Sequence, residues 1–171
     1  MMRRVLLTLL CLGLALPAAA AGPAAGWLVA AERRTGRAAL CLPAQEVRRL
    51  TLIVQHSYDQ RPVAESFVIR RGRLVPTEVV FDTDTYDLRR TRYPGARVET
   101  SGGLVTVTVT HARPADRLAA IRGRVSHGAP QVLVVETTHG RRLLSLDCLG
   151  PGGTPYFIGV RPQPGPTGAA P

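Results

Sequence analysis

Residues 104–111 read L-V-T-V-T-V-T-H and alternate without a break. Val105, Val107 and Val109 face one way, and Thr106, Thr108 and Thr110 the other. That is the period of two expected of a strand with one dry and one wet face. The pattern extends outward in both directions. Upstream, residues 97–100 join this strand through Ser101-Gly102-Gly103. Residues 63–70 and 73–81 flank Arg71-Gly72. Residues 50–56 set Leu50, Leu52 and Val54 against Thr51 and Gln55, and residues 27–31 and 37–42 flank a turn whose Gly36 can supply a positive φ. Downstream, residues 131–137 and 141–147 flank His139-Gly140, and residues 156–160 form a last strand. Only residues 114–121, P-A-D-R-L-A-A-I, read as a helix, with Pro114 in its first turn. Turn signals recur every ~8–15 residues, which favours an antiparallel fold over βαβ units. The expected fold class is all-β: a single antiparallel sandwich or small barrel with one short helix.

The N-terminus points to export. Arg3 and Arg4 precede a twelve-residue apolar run over residues 5–16, Pro17 breaks the run, and Ala18 to Ala21 are small. Those are the three parts of a secretory signal, expected to span residues 1–21. Retained instead, residues 5–31 contain no charge and would be the chain's one membrane contact. One antiparallel β domain is expected over residues 22–161. Residues 162–171, rich in Pro and Gly, cannot bury enough surface to fold. The expected location is the periplasm or the extracellular space.

All 22 basic residues are Arg, against 12 acidic ones, for a formal charge of +10. Loss of Arg3 and Arg4 lowers it to +8. This surplus suits an anionic partner. The arginines come as scattered pairs without a basic helix or interleaved aromatics, so no nucleic-acid partner is expected. Removal of Cys11 with the signal leaves Cys41 and Cys148. In an oxidising compartment that pair is expected to form a disulfide, closing a loop of about a hundred residues.

The chemistry-bearing stretch is residues 55–67, Q-H-S-Y-D-Q-R-P-V-A-E-S-F. A loop centred near Asp59-Gln60 sets His56 opposite Val63, and Val54 opposite Glu65, on one face. His56 and Glu65 then become diagonal neighbours on an otherwise apolar surface. A carboxylate there would fix the imidazole tautomer. The expected ligand-binding residues are His56, Ser57, Arg61 and Glu65, with Arg89, Arg90 and Arg92 as further guanidinium donors to an anion. Ser57 invites a second reading, a small secreted hydrolase built on His56, Ser57 and Glu65. Adjacent strand residues point to opposite faces, however, so His56 is badly placed to take the Ser57 proton, and no G-x-S-x-G is present. No catalytic residue is therefore assigned, and a binding role is preferred to an enzymatic one. No cofactor or metal is expected either. D-T-D-T-Y-D at residues 82–87 opens like a calcium loop but lacks the sixth-position Gly, and Tyr93 stands where the bidentate Glu belongs. His111 follows the valine face of its strand and could approach His56 and Glu65 as a third metal ligand, but a lone His at a strand end is more often a satisfied rim residue.

The order Thr35-Gly36, a strand, His56-Ser57, Pro62-Val63-x-Glu65-x-Phe67, Gly72-Arg73-Leu74-Val75 and Glu78-Val79-Val80-Phe81 resembles an exported bacterial family called domain of unknown function eighteen-fifty. The resemblance covers residues 27–81. Members often carry a Gly-rich segment where this chain has D-T-D-T-Y-D-L-R-R, so a site shaped by that segment would differ here. Members are often encoded beside TRAP transporters of the TAXI class, which take up organic anions. The resemblance implies an exported accessory or binding module, with a transporter component or a small organic anion as partner.

Overall fold

The computed structural model describes residues 26–55, 60–83 and 93–162. The expected signal segment, His56, Ser57, Arg89, Arg90, Arg92 and nearly all of the Pro/Gly-rich tail lie outside the described residues. Eleven strands are described: β1 Trp27–Glu32, β2 Ala38–Pro43, β3 Val47–Gln55, β4 Pro62–Arg70, β5 Arg73–Asp82, β6 Arg97–Ser101, β7 Leu104–Thr108, β8 Ala120–Arg124, β9 Val132–Thr137, β10 Gly140–Ser145 and β11 Pro155–Arg161. They form a four-stranded sheet, ordered β2-β1-β11-β8, and a seven-stranded sheet, ordered β10-β9-β3-β4-β5-β7-β6. All pairings are antiparallel. The sheets stack as a sandwich and do not close into a barrel.

Alternation explains the stacking. Leu50 and Leu52 on β3, Phe67 on β4 and Leu133 and Val135 on β9 share one core with Leu28 and Ala30 on β1 and Tyr156 and Ile158 on β11. Each Leu, Val, Ile or Phe among them contributes about 1.5–3 kcal/mol by leaving water. The large sheet extends past the small one. Its overhang carries a second cluster of Val63, Val79, Phe81, Val105 and Val107, with Tyr93 buried among them. On the opposite face of the large sheet the polar residues pair with one another. Thr51 and Ser66 hydroxyls lie 2.9 Å apart, and Arg49 meets Glu78 at 3.8 Å.

Pro76 sits inside β5, where a central strand would miss its N–H. The strand solves this with a bulge. Pairing with β4 shifts between Ser66 and Phe67, and Thr77 is the extra residue. Its hydroxyl donates to the Ser66 carbonyl at 3.2 Å. β7 pairs with β5 only from Glu78 onward, so Pro76 occupies a locally unpaired edge.

Three expectations need correction. First, residues 114–121 form no α-helix. Only Pro114–Asp116 turns, as a 3-10 segment, held by the Asp116 carboxylate accepting from the Arg113 N–H at 2.8 Å. Leu118 then bridges to Leu74, and Ala120–Arg124 becomes β8 at the edge of the small sheet. A strand position sets Ile121 opposite Ile158 and packs it, partly buried, against the core, and tertiary pairing overrides local propensity. Second, Cys41 and Cys148 are free thiols and form no disulfide. Cys41 pairs with Val29, while its neighbour Leu42 pairs with Leu28 in the core. Cys41 therefore points to the outer face of the small sheet. The 3-10 turn bearing Cys148 packs Leu146 and Leu149 inward. The two segments are joined by Arg37 instead, whose guanidinium donates to the carbonyls of Cys148 at 3.1 Å and Leu149 at 2.8 Å. Third, the strand at Leu104 ends at Thr108. His111 lies beyond it, exposed, with its ring nitrogen 3.3 Å from the Thr110 hydroxyl.

Candidate functional site

The hairpin β3–β4 carries Arg61 and Glu65. Its register differs from expectation by two residues: Val54 pairs with Val63, and Leu52 with Glu65. The ladder starts at Gln55 and Pro62, and the Gln55 amide donates to the Gln60 carbonyl across the loop. Gln60 itself takes a left-handed φ of 59°. A two-residue shift keeps every side chain on its face. Glu65 therefore lies on the inner face as expected, but one pair deeper. Leu52 of the main core is opposite it on β3, and Val79 of the overhang cluster is opposite it on β5. The carboxylate thus stands on the seam between the two apolar clusters. Its Oε1 is shielded from solvent, and the residue is engaged rather than free. A carboxylate in such a place needs compensation, since its desolvation is costly.

Arg61 precedes β4 and stands at the open end of the hairpin. Its guanidinium lies 2.8 Å from the Asp82 carboxylate at the end of β5. Asp82, read from sequence as the opening of a calcium-like loop, is thus a salt-bridge acceptor. Among the described residues no group of three His, Cys, Asp or Glu side chains could hold a metal, and no helix is long and apolar enough to cross a membrane.

A second place holds hydrolase residue types that sequence reading passed over. Ser126, His127 and Asp147 line an open cleft of 510 Å³ between the β8–β9 loop and the turn after β10. The hydrogen bonds there serve the loops. The Ser126 hydroxyl oxygen accepts from the Ala129 N–H at 3.1 Å and the Gly128 N–H at 3.4 Å. The Ser145 hydroxyl donates to Asp147 at 3.3 Å. The His127 ring lies against Gly152, where an added Cβ would fall 2.5 Å from its Nδ1. A nucleophile–base relay requires a Ser–His hydrogen bond, and among the described residues Ser126 and His127 make none.

The third place is the outer face of the small sheet. Alternation puts Phe157, Gly159 and Arg161 of β11 on that face, beside Ala120 and Arg122 of β8. Arg122 pairs with Phe157, and Ala120 with Gly159. Together with Arg33, just past the end of β1, these residues line a cleft of 440 Å³. The Arg161 guanidinium sits 3.9 Å above the centre of the Phe157 ring, an attractive cation–π geometry. Gly159 has no room for a side chain, because a Cβ would meet the Ala119 carbonyl and the Ala120 methyl at 2.8 Å. The floor at Gly159 is therefore closed by the Ala119 carbonyl and the Ala120 methyl. Arg33, Arg122 and Arg161 are all exposed, and among the described residues no carboxylate forms a salt bridge with any of them. Sequence reading missed this cluster because the three arginines are far apart in the chain. The one available signal was the alternation F-I-G-V-R at residues 157–161, which places Phe, Gly and Arg on one face.

No family model, no curated protein and no solved structure matches this chain.

Proposed function

We propose that this chain is an exported accessory module that binds a small organic anion without transforming it. The observation that carries the reading is the outer-face cleft, where three guanidinium groups border a floor of Ala120, Gly159 and Phe157 and, among the described residues, no carboxylate forms a salt bridge with them. Such an arrangement raises the local concentration of anions, and Arg keeps its charge even when partly covered. Two features of the sequence agree with the reading. The N-terminal pattern of Arg3, Arg4 and an apolar run is that of a secreted protein. The His56-Ser57 and Pro62-Val63-x-Glu65-x-Phe67 pieces resemble a family found beside TAXI-class TRAP transporters, so a component of such a system is the proposed partner. In this reading Glu65 is a register-setting polar group inside the sandwich, while ligand contact lies on the other sheet.

Two measurements test the proposal. Thermal shift against a panel of organic anions should raise the Tm of the protein lacking residues 1–21, and chromatography of each binder after long incubation should return it unchanged. Turnover of any panel member would replace the module with an enzyme. Fractionation of cells producing the full chain should find it outside the cytoplasm; cytoplasmic retention would end the export part of the proposal.

A further inference from the structure

We infer that the cleft bordered by Arg33, Arg122 and Arg161 is the binding site itself, and that its ligand is a small organic oxyanion with a compact apolar body. This rests on the anion-binding reading above and specifies its place and its chemistry.

Arg122 and Phe157 are direct cross-strand partners, so the Arg122 side chain leaves the sheet beside the ring. Arg161 lies four residues after Phe157 on the same face and reaches back over side-chain-free Gly159 to place its guanidinium on that ring. Arg33 enters from the other side. β1 neighbours β11, with Glu32 opposite Tyr156, and the Arg33 N–H donates to the Pro155 carbonyl at 2.8 Å. Three positive heads, from β8, β11 and the residue after β1, therefore line one cleft. They repel one another, and an oxyanion between them would relieve that repulsion while accepting forked hydrogen bonds.

The floor decides what the anion carries. At Gly159 the floor is the Ala119 carbonyl beside the Ala120 methyl, and at its end the Phe157 ring lies beneath the Arg161 guanidinium, so the apolar part of the floor is the Ala120 methyl and the rim of that ring. An inorganic anion would use the heads and leave this floor wet. An organic one would cover it, at a gain of about 25 cal/mol for each Å² of apolar surface removed from water. The cleft's volume of 440 Å³ falls in the range of small-molecule sites. Phe157 acts as a positioning residue: stacking holds the Arg161 head in place before the ligand arrives, so less side-chain freedom is lost on binding.

The test is titration calorimetry of the protein lacking residues 1–21 with benzoate, phenyl phosphate and inorganic sulfate, at two salt concentrations. The first two distinguish a carboxylate from a phosphate head. The expected result is 1:1 binding of at least one aromatic anion, at least tenfold tighter than sulfate and weakened by salt. Arg122→Gln and Arg161→Gln, both on the surface, should each weaken that binding about tenfold with unchanged circular dichroism. Phe157→Leu should weaken it less, and a thermal melt of that variant reports whether the sheet survives. Aromatic-anion binding that ignores both arginine substitutions would overturn the site and leave the general reading standing. Sulfate binding as tight as benzoate would overturn the ligand class. Failure of all three probes to bind would overturn the inference together with the anion-binding reading.

Discussion

The two sheets treat their outer faces differently. The large sheet is dry inside and polar outside: Val105 and Val107 are buried while Thr106 and Thr108 on the same strand are half-exposed. The small sheet buries apolar residues on both sides of its inner strand β1. On β1, Leu28, Val29, Ala30 and Ala31 are all fully buried, with Leu28 and Ala30 in the main core and Val29 and Ala31 in a separate outer cluster with Phe157. A strand covered on both faces loses its alternation. The comparison teaches where to look for a site. The sheet with clean alternation uses its outer face to meet water. The sheet without it has a second surface to cover, and the arginine cleft lies on that surface.

Core substitutions probe this contrast most strongly. Phe67 is central in the large sheet and 1% exposed, so Phe67→Ala should lower stability by about 3–5 kcal/mol in urea denaturation. Val29→Ala on the outer face of the small sheet should cost about 2 kcal/mol, as for a core valine. Thr106→Ala on the outer face of the large sheet should stay within about 0.5 kcal/mol, as for a surface position. Equal effects of the last two would erase the distinction between the sheets.

Glu65 sharpens the contrast from inside. It is a carboxylate on the dry face, at the seam of two clusters. Glu65→Gln keeps the shape and removes the charge, and should lower stability by about 1–3 kcal/mol, the cost of disturbing a buried polar contact. A silent substitution would show that this carboxylate is hydrated.

The strands were legible because their alternation and turn residues agree. Ten of the eleven described strands fall where turn signals such as Gly72, Gly102-Gly103 and Gly140 bound an apolar run. β8 was not, because P-A-D-R-L-A-A-I has good local helix character and only the open edge of β11 makes it extended. Parity put Glu65 on the right face, but loop length did not reveal its partner, since a shift of two residues costs nothing in parity. The thiols failed because an even pair of cysteines says nothing of the face each takes, and the face of Cys41 depends on the β1–β2 register. The outer cleft depends on three strands meeting in space, which no local pattern encodes.

Acid stability separates the two glutamates in another way. Glu32, 6% exposed at the end of β1, accepts from the N–H groups of Arg34 and Thr35, each at 2.6 Å. Hydrogen bonding from the Thr35 side chain, then from the Arg34 N–H, holds its carboxyl below the ordinary value of 4.5. With a depressed folded pKa, this contribution is fully present above about pH 4.5 and is lost as pH falls through the lower folded value. The stability gap between the natural protein and Glu32→Gln should therefore shrink on going from neutral pH to about pH 3. Asp116, lowered by its bond from Arg113, adds to the same acid limb in both proteins and cancels in the difference. A gap that does not change with pH would remove Glu32 from that limb.

The thiols give the gentlest test and reach back to the β1–β2 register. Protein lacking residues 1–21, and with them Cys11, should titrate as two free thiols under denaturing, non-reducing conditions. A count of zero would restore the crosslink and require β2 to leave the register that pairs Cys41 with Val29. In the native state, with Cys41→Ser to isolate it, Cys148 should alkylate more slowly at neutral pH than a thiol in an unstructured peptide. Burial raises its pKa, and only the thiolate reacts. The positive charge of Arg37 opposes that rise. Arg37→Ala should therefore slow alkylation further if the 3-10 turn at Leu146–Leu149 keeps its shape. Faster alkylation would mean that the two hydrogen bonds from Arg37 to the Cys148 and Leu149 carbonyls hold the turn against the sheet more firmly than packing of Leu146 and Leu149 does.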